Sequence, residues 1–247
     1  MSKGNGSKEV ALRADGNVVQ SAAGVNSAAF WERLWRLSGI NFILFFIIAL
    51  VVLGHQSQLG VAADFVVAAR DGERTRVFIA AVISGMAVLN LMWFAAALRT
   101  TLADAGQHGW GAATTTSSAL VGGLFLLLIG VGAAVAYSIA GAAGHALAAA
   151  LKDIAWAGFV LSSFPRAMLI MAGTFGLWRA GLISKPLFAA GVVAVVLVLL
   201  GGTTWSSDGL WAPDGVYSRF VSPAVGMLWV VATSQVLVRS PATRTGW

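Results

Sequence analysis

The chain has 247 residues, of which 58% are hydrophobic and 11% charged, against about 25% charged in an average soluble domain. So small a polar share cannot cover a folded surface in water, a requirement that lipid as the solvent removes. The formal net charge of +6 is spread over short segments with no basic, aromatic-interleaved groove, which argues against a nucleic-acid partner; the lack of cysteine excludes disulfides and cysteine-ligated iron–sulfur or zinc sites.

Residues 1–26 are small and polar and read as a disordered cytoplasmic tail. A cleavable signal would place its apolar stretch near the start, whereas the first apolar run here begins near Leu37. Residues 27–36 read as an interfacial amphipathic helix, with Phe30, Trp31, Leu34 and Trp35 on one side and Glu32, Arg33 and Arg36 on the other. Rings at headgroup level and cations toward anionic lipid suit that position.

Residues 37–240 read as an all-α, polytopic transmembrane helical bundle of about six spans, followed by a cytoplasmic tail over 241–247. The spans are expected near 37–54, 77–98, 118–140, 153–178, 186–204 and 220–238; each is close to the roughly 20 residues that cross a hydrocarbon core. A second interfacial helix is expected over Leu59–Arg70, between spans one and two. Pro186 opens the fifth span, where its missing N–H costs nothing. Between spans, 99–117 and 179–185 read as loops, and 205–219 as part of an aromatic belt with Trp205, Trp211 and Tyr217. Trp156 and Trp229 are placed deeper than the belt, where they either flank a pocket or fill one.

With an even number of spans, the two termini share a side with Arg99, Arg179, Lys185 and Arg239. That side holds ten lysines and arginines, and the opposite side five: Arg70, Arg74, Arg76, Lys152 and Arg219. The positive-inside rule then puts both termini in the cytoplasm of a multi-pass cell-membrane protein. Arg99, Arg179 and Arg239 each close an even-numbered span, with stems along the apolar helix and guanidinium groups at the headgroups.

The remaining cation, Arg166, falls in the middle of the fourth span, directly after Pro165. A charge there costs about 2.5–3.5 kcal/mol on insertion scales, so it must face protein, water or a ligand. Pro165 removes one N–H from the helix and frees the carbonyl near Leu161. Freed carbonyls and the Ser162 and Ser163 hydroxyls are acceptors that a guanidinium can use. Helical spacing puts Ser162, Arg166, Leu169 or Ile170, and Gly173 on one face, which should point into the bundle. Every Asp and Glu falls in a loop or at a span end, leaving Asn41, Asn90, Ser84, Thr233, Ser234 and Gln235 as polar candidates in other spans. The candidate ligand set is Arg166, Ser162, Ser163, Asn41 and Asn90. Two readings of Arg166 stay open: a charge satisfied by neutral protein groups, or a site awaiting an anion.

No other constellation competes. His55, His108 and His145 form no i, i+3 or i, i+4 pair, so no metal site, haem or other cofactor is expected. The glycines, among them Gly122, Gly132, Gly158, Gly173 and Gly176, form no phosphate loop and read as helix-packing positions. No nucleophile elbow, zinc-protease, kinase or Walker motif occurs, so no catalytic residue is assigned and an enzyme is disfavoured.

Phe164-Pro165 in the fourth span, then Leu177-Trp178-Arg179-Ala180-Gly181-Leu182-Ile183 running into Lys185-Pro186, resemble a broad group of uncharacterised multi-span membrane proteins of high-GC bacteria. The resemblance spans about residues 37–238 and implies a six-span bundle but no activity. Two functions remain open: a non-enzymatic accessory or scaffold subunit packed against partner spans or further copies of itself, and a small transporter or anionic-ligand or lipid binder with Arg166 in a central cavity. Membrane lipids are partners in both.

Overall fold

The computed structural model describes residues 37–54, 74–138 and 145–239. The expected tails over 1–26 and 241–247 and the interfacial helices over 27–36 and Leu59–Arg70 lie outside the described residues. Among those described there is no strand. Seven α-helices follow in order: α1 (Leu37–Leu53), α2 (Arg74–Asp104), α3 (His108–Ser138), α4 (His145–Leu161), α5 (Ser163–Arg179), α6 (Lys185–Gly201) and α7 (Ser222–Arg239). Four stretches are long and apolar enough to cross a membrane: Arg74–Asp104, His108–Ala136, Ala149–Arg179 and Tyr217–Arg239. The apolar helices Leu37–Leu53 and Lys185–Gly201 are shorter, about 25 Å each at 1.5 Å per residue.

The expected loop over 99–117 is not a loop. α2 continues to Asp104 and α3 begins at His108. Thr100 and Thr101 donate their hydroxyls to Ala96 and Ala97 carbonyls, and Thr114, Thr115, Thr116 and Ser117 do the same one turn back in α3. Polar side chains that bond within their own helix do not end it, so Arg99 lies inside α2 rather than at its end. The stop is set by Gly106, at φ +75°: its N–H reaches the Ala103 carbonyl and the next N–H reaches Leu102, a Schellman closure. Gly181, at φ +70°, closes α5 the same way onto Trp178 and Leu177.

The expected fourth span is two helices joined at Ser162. Pro165 has no N–H to offer the Leu161 carbonyl, while Ser162 N–H still reaches Gly158 and Arg166 N–H still reaches Ser162. A second proline acts similarly: Pro223 cannot serve the Arg219 carbonyl four residues back, and Tyr217–Val221 widens into a π-turn entering α7.

α2 and α3, 31 residues each and about 46 Å long, run antiparallel, with Gly111 against the Arg99 backbone and Gly122 against Val88 and Met92. α5, of 17 residues, packs on the half of this pair that carries Arg99, and α6, also 17 residues, packs on α5 and α7. Leu98 meets Gly173, Leu102 meets Gly176, and Thr174 meets Gly191. α1 lies antiparallel to α2 and α7: Gly39 abuts Phe94, Val230 and Ser234, while at its other end the Val52 carbonyl accepts from Arg76 Nε at 3.2 Å. The tight core therefore gathers in one half, with Phe94, Leu98, Leu102 and Leu237 wholly buried. In the other half α1, α2, α3, α4 and the start of α7 surround a space that α5 and α6 do not reach.

Candidate functional site

Arg166 is half-buried on α5, one turn past the Ser162 junction. Its Nε donates to the Ser162 carbonyl at 3.2 Å, and Nη2 to Ser163 Oγ at 2.8 Å and the Phe159 carbonyl at 3.5 Å. The guanidinium carbon lies 5.0 Å from the Phe159 ring centre, a cation–π contact. All these partners lie within seven residues, at the end of α4 and the start of α5. Ser162 Oγ donates to the same Phe159 carbonyl at 2.5 Å. The face expected to point inward does so: Ser162, Leu169, Ile170 and Gly173 are buried.

Arg166, Ser162 and Ser163 thus come together, and the two asparagines do not join them. Asn90 Nδ2 donates to Met86 within α2 at 2.8 Å; Asn41 is half-buried on α1. The space beside Arg166 is about 60 Å³, lined chiefly by Phe42, Phe125, Leu169, Met227 and Val230, with neither asparagine among its walls. That is room for a water or two, far below the 300–1,000 Å³ of ordinary ligand pockets. Ser234 and Thr233 are buried against α1 and within α7, and Ser84 faces a different space.

That different space is larger. A cavity of about 660 Å³ lies between α1, α2, α3, α4 and the start of α7. On α2 it extends from Val77 to Val88, on α3 from Phe125 to Val135, and on α4 from Lys152 to Phe159. The eleven helical steps from Val77 to Val88 make it about 16 Å deep. Its walls are mainly apolar; the cations among them are Lys152 and Arg219. Phe159 lines both spaces, and Arg166, whose guanidinium meets the Phe159 ring, is not among the walls of the large one.

Trp156 flanks this cavity, whereas Trp229 fills space: it is buried, sits edge-on to Phe94 and donates Nε1 to Thr174 Oγ1 at 2.9 Å. The belt aromatics cap the end of α6. Trp205 and Trp211 donate to the Gly202 and Thr203 carbonyls, and Tyr217 OH reaches the Leu197 carbonyl at 2.8 Å. Among the described residues no group of His, Asp or Glu converges as a metal site, and His108 is exposed at the start of α3. His55 lies outside the described residues.

Sequence reasoning singled out Arg166 and passed over Lys152 and Arg219, which a span count assigns to loops. One signal was available: Arg219 stands four residues before Pro223, much as Leu161 stands before Pro165. No protein-family model, curated protein or solved structure matches the chain.

Proposed function

We propose that this chain is a non-enzymatic, multi-pass membrane protein that holds a hydrophobic ligand in the cavity between α1, α2, α3, α4 and α7. The observation that carries the reading is the cavity itself, about 660 Å³ within mainly apolar walls and inside the size range of ligand sites. Arg166 is not the ligand site in this reading, because its Nε and Nη2 already donate within its own chain segment and the space beside it is about 60 Å³. An accessory-subunit role is the weaker reading: exposed apolar faces such as Leu126 and Leu127 on α3 are what lipid alone requires.

The bundle in this proposal has six spans, with α4 and α5 forming one and the 17-residue α1 and α6 completing the set. Both termini lie in the cytoplasm, as the ten-to-five bias of lysine and arginine supports. Cysteines introduced singly at Ser184 and Ser206, both exposed, would then label from opposite sides of the membrane; labelling from one side would refute the topology.

The functional test is lipid retention. Gly132 lines the cavity, and a Cβ built on it meets nothing within 4 Å. Purified wild type is expected to carry co-purifying lipid by native mass spectrometry. Gly132→Phe, which fills the space, should lose that lipid while keeping its helical circular dichroism. Equal retention in both proteins, or none in either, would sink the reading.

A further inference from the structure

We infer that a lipid site apart from the cavity lies in the groove between α2 and α3, where Arg99 takes the phosphate of an anionic membrane lipid. The two helices touch at both ends of this groove. At one end, a Cβ built on Gly111 comes within 3.2 Å of the Arg99 carbonyl and 3.3 Å of Arg99 Cγ; at the other, Gly122 lies against Met92 and Val88. Between these contacts the groove walls carry small side chains: Ala95 and Ala96 on α2, and Thr115, Ser118 and Ala119 on α3. They leave a space of about 490 Å³, which Arg99, Ala96 and Ala119, all exposed, leave open to the bilayer.

Two polar groups in this wall are unpartnered among the described residues. Arg99 makes no hydrogen bond or ion pair there, and its Cγ beside Gly111 carries the stem across to α3, one turn from Thr115. Its planar donor fork suits phosphate. Ser118 is buried and its Oγ has no hydrogen-bond partner, whereas Thr100 and Thr115 already donate to the Ala96 and Gly111 carbonyls. Ser118 stands seven residues past Gly111, about 10 Å further along the axis and nearer the middle of the helix pair. A phospholipid meets these groups in order, with a phosphate at the guanidinium, ester carbonyls deeper for the hydroxyl, and a chain along the small residues. A second copy docked face to face would instead set Arg99 against Arg99, and no carboxylate lines the groove to offset that. A neutral lipid would leave the guanidinium without a counter-ion.

A lipid in so open a groove exchanges with the bilayer, so the test is made in vesicles. The full chain is placed in phosphatidylcholine vesicles with a trace of photoactivatable phosphatidylglycerol or photoactivatable phosphatidylcholine, and labelled peptides are mapped by mass spectrometry. Phosphatidylglycerol should label 92–103 and 115–119 about fivefold more than phosphatidylcholine, and the excess should shrink with added salt. Arg99→Gln should remove the excess and Arg99→Lys should keep most of it. Ala119→Leu, which fills the groove, should lower labelling of these segments by both probes. Gly132→Phe, in the separate cavity, should leave the pattern unchanged, so failure here and failure of the cavity reading are told apart. Equal labelling by the two probes in wild type, or an excess that survives Arg99→Gln, overturns the headgroup assignment. Labelling indifferent to Ala119→Leu overturns the groove as the site. A quantitative disulfide-linked dimer of Ala96→Cys at low protein density would identify a second copy in the groove and overturn the lipid occupant.

Discussion

The two halves of the bundle use the same kinds of residue to opposite effect. Around Arg99, Arg179 and Arg239, glycines stand where large side chains press: Trp229 and Leu98 over Gly173, Leu102 and Trp110 over Gly176, Thr174 over Gly191. Around the other end of α2 and α3, Gly130 and Gly132 face open space. A glycine stripe by itself therefore does not say whether helices will touch. Contact depends on whether a neighbouring helix reaches that level, and α5 and α6 do not.

This contrast can be tested from both sides. The largest effect is expected at Leu98, wholly buried in the tight half: Leu98→Ala should cost about 2–5 kcal/mol in detergent unfolding. Ile129→Ala, on the cavity wall, should cost well under that, and equal losses would erase the distinction between the halves. Next is overpacking. Gly191→Val drives a side chain into Thr174 and should destabilise by about 1–3 kcal/mol, whereas Gly132→Val should leave the unfolding midpoint nearly unchanged and reduce lipid retention.

A smaller effect is expected from Trp229→Phe, which removes the donor to Thr174 but keeps most of the ring. The loss should be about 1 kcal/mol, and Thr174→Val in the same background should add little, as a double-mutant cycle would show. The smallest concerns Arg166→Met. Its lost hydrogen bonds are opposed by relief of the charge's insertion cost, so stability should move by no more than about 1 kcal/mol. Lipid retention should persist; its loss would return Arg166 to the ligand site.

What was legible beforehand was local. Ser162 and Ser163 beside Arg166 could be named from i−4 and i−3 spacing alone, and the helix uses both, one through its carbonyl and one through its hydroxyl. Asn41 and Asn90 were named because they were polar and membrane-embedded by pattern, yet no spacing rule tells how far another helix stands, and Asn90 bonds at home. The polar run Thr114–Ser117 reads as loop for want of apolar residues, although all four hydroxyls bond one turn back.

The sequence by itself determined the all-helical class, the apolar helices, the break at Pro165 and the Ser162 and Ser163 partners of Arg166, though not Phe159, because each depends on composition or on neighbours within two turns. Only the tertiary structure decided where helices meet and where they stand apart. A cavity is bounded by atoms from five segments, α1, α2, α3, α4 and the start of α7, and its volume depends on their relative lengths and on Phe159, Phe125 and Met227 arriving at one level. No local pattern encodes that distance, which is why the charge conspicuous in the sequence turned out to be engaged locally, and the cations at the open space were found in the fold.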